Sequence, residues 1–187
     1  QIFQPAGAVS TGGQLEAEIA VRFLTALALS SEDVFLDLGS SVGTLCLLAG
    51  LVAPGCKVVG VELSPSRVYQ AKSMLKQVRA VLPASQNLLQ EVDFLQGDFN
   101  ATDLTDASIQ QSFERATVVY CAAEHLSLFD VATGGTSPSR FLTRLAPLNH
   151  FRRGTRLLSL AALSPELFSS SAQALNHTNN SGCRHVE

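Results

Sequence analysis

Residues 37–44 read DLGSSVGT, directly after the apolar run Val34, Phe35 and Leu36. A short apolar strand, a glycine-containing turn and then an apolar helix is the pattern of a ligand-binding loop in an open α/β sheet. The commonest version of that loop reads G-x-G-x-x-G, and here Gly39 and Gly43 stand with two serines, Ser40 and Ser41, between them. The glycines allow the backbone to pass close to a ligand, and a helix beginning at Gly43 offers free N–H groups.

The elements around this loop follow from periodicity. Leu15, Ile19, Phe23, Leu24 and Leu27 recur at helical spacing, which predicts an amphipathic helix over 14–29. A buried strand at 34–38 is followed by an apolar helix at 43–53, stopped by Pro54-Gly55, and by a second strand at 57–61. Ser64-Pro65, an N-cap followed by a first-turn proline, opens a long helix that runs to Leu82 before Pro83. Strands are predicted at 92–95, 117–121 and 156–160, with a polar loop between the first two and a helix at 136–147. Continuous apolar strands alternating with helices predict a Rossmann-like α/β fold, a mostly parallel sheet with helices on both faces.

Ligands in such sheets bind beyond the carboxyl ends of the strands, and three acids fall there. Asp37 would repel a pyrophosphate but welcome a cationic amine, which turns the reading from NAD toward S-adenosylmethionine, whose amino group and sulfonium are positive. Glu62, about 25 residues on at the second strand end, is placed to accept both ribose hydroxyls. In Gly97-Asp98-Phe99, after the third strand, the aspartate could accept from an adenine amino group while Phe99 packs on the ring.

The runs DVFLDLGSSVGTLCLLAG (33–50), VVGVELSPSRVYQAK (58–72) and QGDF (96–99) resemble the class I, seven-strand methyltransferases. Within them the chain most resembles the non-SET histone lysine methyltransferases of the disruptor-of-telomeric-silencing type, over about residues 10–160. That family carries D-L-G-S-G-V-G in its first loop, G-V-E after the second strand and G-D-F after the third. Ser41 replaces the middle glycine, which is expected to cost little provided its φ is negative, and the loop is expected to hold the methionine half of the cofactor. The resemblance implies methyl transfer from S-adenosylmethionine to a histone lysine. The implied cofactor-binding set is Thr11, Gln14, Asp37, Gly39, Ser40, Ser41, Val42, Gly43, Glu62, Leu63, Asp98, Phe99 and Ala122.

Methyl transfer to an amine is a direct displacement, so catalysis is alignment in a desolvated channel, and burial helps the lysine lose its proton. The family places this work after the fourth strand, at an asparagine pair followed by aromatic residues. The matching stretch here, VVYCAAEHLSLFD (118–130), has Ala122 and Ala123 in the asparagine places. Tyr120 and Glu124 are the catalytic candidates. Core packing competes for Tyr120, and His125 reads as a loop histidine. The final antiparallel hairpin of the fold, with its aromatic channel residues, has no clear counterpart after Leu160, and the chain contains no tryptophan.

Composition sets the outer limits. The 187 residues are enough for one domain that buries about two-thirds of its unfolded surface. A hydrophobic share of 46% and a net charge of −3 describe a globular protein with no general basic field for nucleic acid. The four cysteines form no C-x-x-C, so no disulfide frame, no zinc and a reducing compartment are expected. The longest apolar run, Leu45–Ala53, is too short to span a bilayer. The organisation expected is a cofactor-closing segment and helix at 1–30, a catalytic core at 31–165 and a loop or disordered tail at 166–187, together an excised domain. A nucleus-located enzyme with a histone or nucleosome substrate follows from the resemblance. Arg140, Arg144, Arg152, Arg153 and Arg156 are candidates for DNA phosphate contacts, with a solvated basic face as the alternative. The glycosylation-like triplets at 100–102 and 176–178 are read as chance matches. Competing functions are the same fold with another acceptor and a cofactor-binding module without turnover. An NAD-dependent oxidoreductase fails on the glycine pattern.

Overall fold

The computed structural model describes residues 17–83, 88–99, 106–121 and 154–159. Within these residues the chain forms helices α1 (Ala17–Ala26), α2 (Thr44–Val52), α3 (Pro65–Val81) and α4 (Ala107–Arg115). Between them lie strands β1 (Val34–Leu38), β2 (Lys57–Glu62), β3 (Val92–Gln96), β4 (Val118–Cys121) and β5 (Arg156–Ser159). The five strands form one parallel sheet in the order β3-β2-β1-β4-β5. The chain moves outward from β1 in one direction, then returns to its other side for β4, so strand order reverses between β1 and β4. A ligand crevice belongs at that reversal.

Alternating side chains split the core into two layers. Phe35, Val58, Phe94 and Val118 face α1, α2 and α3, where they meet Leu24, Cys46, Ala49, Val68, Ala71 and Leu75. Leu36, Val59, Val61 and Val119 face the other way, against Ile109 and Phe113 of α4. The Rossmann-like parallel sheet read from the sequence is therefore present, with helices on both faces.

Several boundaries differ from those expected. The first helix ends at Ala26 rather than 29, because Ala28 turns to φ 48 and donates its N–H to Thr25 O. Ser64 occupies the N-cap position of α3 but makes no capping bond; its Oγ lies 3.0 Å from Ser66 Oγ instead. The segment expected as a polar loop contains α4, whose N-terminus is capped by Asp106 Oδ1 accepting from Ser108 N at 2.8 Å and Ile109 N at 3.3 Å. The expected helix at 136–147 and the tail lie outside the described residues. Among those residues no helix is long and apolar enough to cross a membrane.

The amino ends of the strands are tied by a polar cluster. Asp33 accepts from Thr117 Oγ1 at 2.7 Å and from Ser30 N and Oγ at 2.9 Å each. Arg156 lies 3.6 Å from Asp33 Oδ1 and donates to Leu27 O at 2.8 Å. Burial works against the Asp33 charge, but the Thr117 and Ser30 hydrogen bonds and the Arg156 charge outweigh it, and its pKa is lowered. Arg156 thus fastens α1 to the sheet at the end away from the β1–α2 loop. Arg140, Arg144, Arg152 and Arg153 lie outside the described residues.

Candidate functional site

The loop after β1 is held down by its neighbour strand. Gly39 N and Ser40 N both donate to Val61 O, at 2.8 and 3.1 Å, and Gly43 N donates to Ser40 O at 2.8 Å. Gly39 and Gly43 each adopt φ 82. At Gly43 the need for glycine is also steric, since a Cβ would overlap the Phe94 ring and come within 3.1 Å of Ala71 Cβ. Ser41 also lies in the left-handed region, at φ 52. The expectation of a negative φ there is corrected: the closure of the loop onto β2 dictates the backbone, and serine carries a strain that glycine would avoid.

Two carboxylates sit under this loop. Glu62, at the end of β2, accepts Ser41 N at Oε2 and Ser64 N at Oε1, each at 2.9 Å. Its oxygens retain further lone pairs, because an ionised carboxylate has about four acceptor sites. Asp37, one strand over, is 4% exposed and accepts from the Cys46 thiol, 3.4 Å from Oδ2. Burial pushes its pKa up to about 7, opposed by the Cys46 hydrogen bond and reinforced by the Glu62 charge. The site therefore sets two carboxyl groups close together in a shielded place, which disfavours the charge on Asp37.

Ser40 is also buried, and its Oγ has no hydrogen-bond partner among the described residues. It rests over Gly60, where an added Cβ would lie 2.7 Å from it. Gly60 pairs in register with Asp37. An orphaned hydroxyl at this depth costs about 1–3 kcal/mol unless a ligand supplies the partner.

The remaining predicted residues divide clearly. Leu63 is 46% exposed beside Glu62, and Val42 is half-buried in the loop. Asp98 is exposed after β3. Phe99 is buried in the α4-side core, with its Cε1 4.0 Å from where a Cβ on Gly39 would stand, so it forms part of the floor beneath the loop. Tyr120 is in register with Asp37, and its ring packs on Phe23 at 5.5 Å between centroids. Thr11, Gln14, Ala122, Glu124 and His125 lie outside the described residues. Sequence reading missed Cys46 and Gly60. An isolated glycine inside a strand signals close approach and could have marked Gly60, whereas a cysteine in an apolar run carries no signal beyond core packing.

The donor set suits S-adenosylmethionine: a glycine loop for close approach, two buried acids for cationic and hydroxyl groups, and an orphaned hydroxyl over Gly60. Solved structures with the same architecture are methyltransferases. One, titled SAM-dependent methyltransferase from Geobacter sulfurreducens in complex with S-adenosyl-L-homocysteine, matches with TM-score 0.53 at 23% identity, over 81% of this chain and 51% of that one. The glycopeptide N-methyltransferase MtfA complexed with sinefungin matches with TM-score 0.53 at 20% identity, over 82% of this chain and 56% of that one. The precorrin-6y C5,15-methyltransferase from Geobacter metallireducens matches with TM-score 0.53 at 13% identity, over 92% of this chain and 76% of that one. The chain thus spans about half the length of two of these three. No curated protein matches it. These likenesses show the class I methyltransferase fold. The family model described as histone methylation protein DOT1 matches residues 5–184, and the chain belongs to that family.

Proposed function

We propose that this protein transfers a methyl group from S-adenosylmethionine to a protein lysine of a nucleosomal core histone, in the nucleus. The observation that carries the cofactor reading is the pair Asp37 and Glu62, buried at the ends of adjacent parallel strands beneath one glycine loop. Family membership supports the histone acceptor.

Bound here, S-adenosylmethionine supplies an electrophilic methyl group on a sulfonium. Asp37 would receive the cofactor's amino group, and the Glu62 lone pairs left by Ser41 and Ser64 would receive the ribose hydroxyls. Asp98, Leu63 and Phe99 would line the adenine side, and Gly39–Gly43 would cradle the methionine half, with Thr11, Gln14 and Ala122 as further candidates. The protein's contribution to the transfer is to orient donor and acceptor, exclude water and favour the neutral amine. Tyr120, beside Asp37, and Glu124 are the polar candidates on the acceptor side. DNA phosphates are candidate partners for Arg140, Arg144, Arg152 and Arg153, while Arg156 is committed to Asp33 and Leu27.

A second reading, the same chemistry on another protein or a small molecule, draws on Ala122 and Ala123 in place of the family's asparagine pair. Calorimetry should show S-adenosylhomocysteine binding and no NAD binding. Methyl incorporation should be higher in whole nucleosomes than in free histones or small amines. Preference for a small amine would move the conclusion to the second reading, and tight cofactor binding with no methylation of any acceptor would leave a binding module.

A further inference from the structure

We propose that Cys46 is a positioning residue for Asp37: its thiol holds the carboxylate from the interior side, so that the other oxygen is presented to a primary ammonium group. Resting on the assignment of Asp37 to the cofactor's amino group, the inference adds a residue that the loop motif does not include.

The geometry is specific. Cys46 is the third residue of α2, fully buried, and its Sγ lies 3.4 Å from Asp37 Oδ2. Among the described residues it is the one hydrogen-bond donor to Asp37. Among the described residues, Glu62 from β2 and Cys121 from β4 are the other titratable groups whose charge is shown to bear on Asp37. Glu62 is an acceptor of the same charge. Cys121 packs in the opposite layer of the core. Neither can orient the carboxylate. An apolar side chain at position 46 would fill the same space and leave Asp37 buried with no donor among the described residues.

The chemistry suits a permanent donor. Burial, and then the Asp37 charge, push the Cys46 thiol well above its ordinary range, so it keeps its proton throughout the physiological window. A thiol is a weak donor. It can steer the carboxylate without neutralising it, which leaves the charge available to a cation. Independent support for a ligand at this point comes from Ser40 Oγ, buried and without a partner among the described residues, over the Gly60 that pairs with Asp37. A carboxylate oxygen and a hydroxyl oxygen together form an acceptor pair for an ammonium, which carries three donors.

The test is calorimetric titration of the full chain with S-adenosylhomocysteine across roughly pH 5–9, a span that covers Asp37 ionisation. Variants are compared with one another, so ionisation of the ligand itself cancels. Wild type should gain affinity as pH rises through about 7. Cys46→Val should move that midpoint up by about one pH unit and weaken binding about tenfold below it. Cys46→Ser, which restores a donor, should keep the wild-type midpoint or lower it. Cys46→Ala also lacks a donor and should reproduce the valine result if valine impairs folding. A wild-type midpoint and affinity in both apolar variants would overturn the role of the thiol. Asp37→Asn separates the two levels: unchanged affinity there removes the amino-group assignment itself, whereas weakened binding in Asp37→Asn with wild-type behaviour in Cys46→Val removes only the positioning role.

Discussion

Oε2 of Glu62 accepts the backbone N–H of Ser41 across 2.9 Å, so the acid that ends β2 holds the loop that follows β1. Its other oxygen does the same for Ser64 at the start of the next helix. One side chain therefore shapes two loops at the carboxyl edge of the sheet. Glu62→Ala orphans both N–H groups and should destabilise the fold by about 2–4 kcal/mol, from about 1–2 per donor. It should also weaken S-adenosylhomocysteine about tenfold or more. Glu62→Gln keeps one acceptor oxygen and should lose less of each. Chemical denaturation and calorimetry on the two variants check this, and wild-type stability in Glu62→Ala would contradict it.

Ser41 carries a left-handed backbone, and substitutions there should sort by tolerance of that conformation. Ser41→Gly should be neutral to about 1 kcal/mol stabilising, because relief of strain exceeds the entropy glycine adds to the unfolded chain. Ser41→Val, β-branched, should cost about 1–2 kcal/mol. Denaturant midpoints for the pair check the order. Equal stability would mean that φ at 41 does not constrain the residue.

Gly43 combines positive φ with a ring pressed against the space of its missing side chain. Gly43→Ala should cost about 3 kcal/mol or more, from left-handed strain plus overpacking against Phe94. Pairing it with Phe94→Leu should recover part of the loss, which a double-mutant cycle measures. Purely additive effects would place the cost in the backbone alone.

Asp37 ties stability to pH. Its folded pKa, about 7, lies above the ordinary carboxylate value of 3.8. Well below pH 3.8 the group is protonated in both states and costs nothing. As pH rises toward 7 the unfolded chain ionises first, and stability falls by up to about 4 kcal/mol before levelling off. Asp37→Asn should remove this fall, making the variant more stable than wild type at pH 8 while binding the cofactor more weakly. Thermal melts across pH check it. A wild type whose stability does not decline between these limits would show that the carboxylate is not buried as a charge.

The architecture was legible because local pattern carries it. Val34–Leu38 and Lys57–Glu62 carry apolar runs bounded by turns, Val92–Gln96 is apolar at Val92, Phe94 and Leu95, and strands alternate with helices along the chain. The acids Asp37 and Glu62 could be placed at strand ends for the same reason. The helix α4 was not legible, because only Ile109 and Phe113 mark its buried side within a polar stretch. Its formation depends on the uncovered face of Leu36, Val59 and Val61.

Residue order alone thus dictated a parallel α/β sheet, the glycine loop after its first strand and the acids at its rim, since strand period, glycine turns and helix starts are properties of neighbouring residues. Folding in three dimensions decided that Cys46 meets Asp37, that Ser40 lies over Gly60, that Ser41 turns left-handed and that Glu62 grips both loops. Those outcomes come from packing strand ends, the loop between them and helix α2 together, contacts between residues 9 to 21 positions apart that no local periodicity encodes.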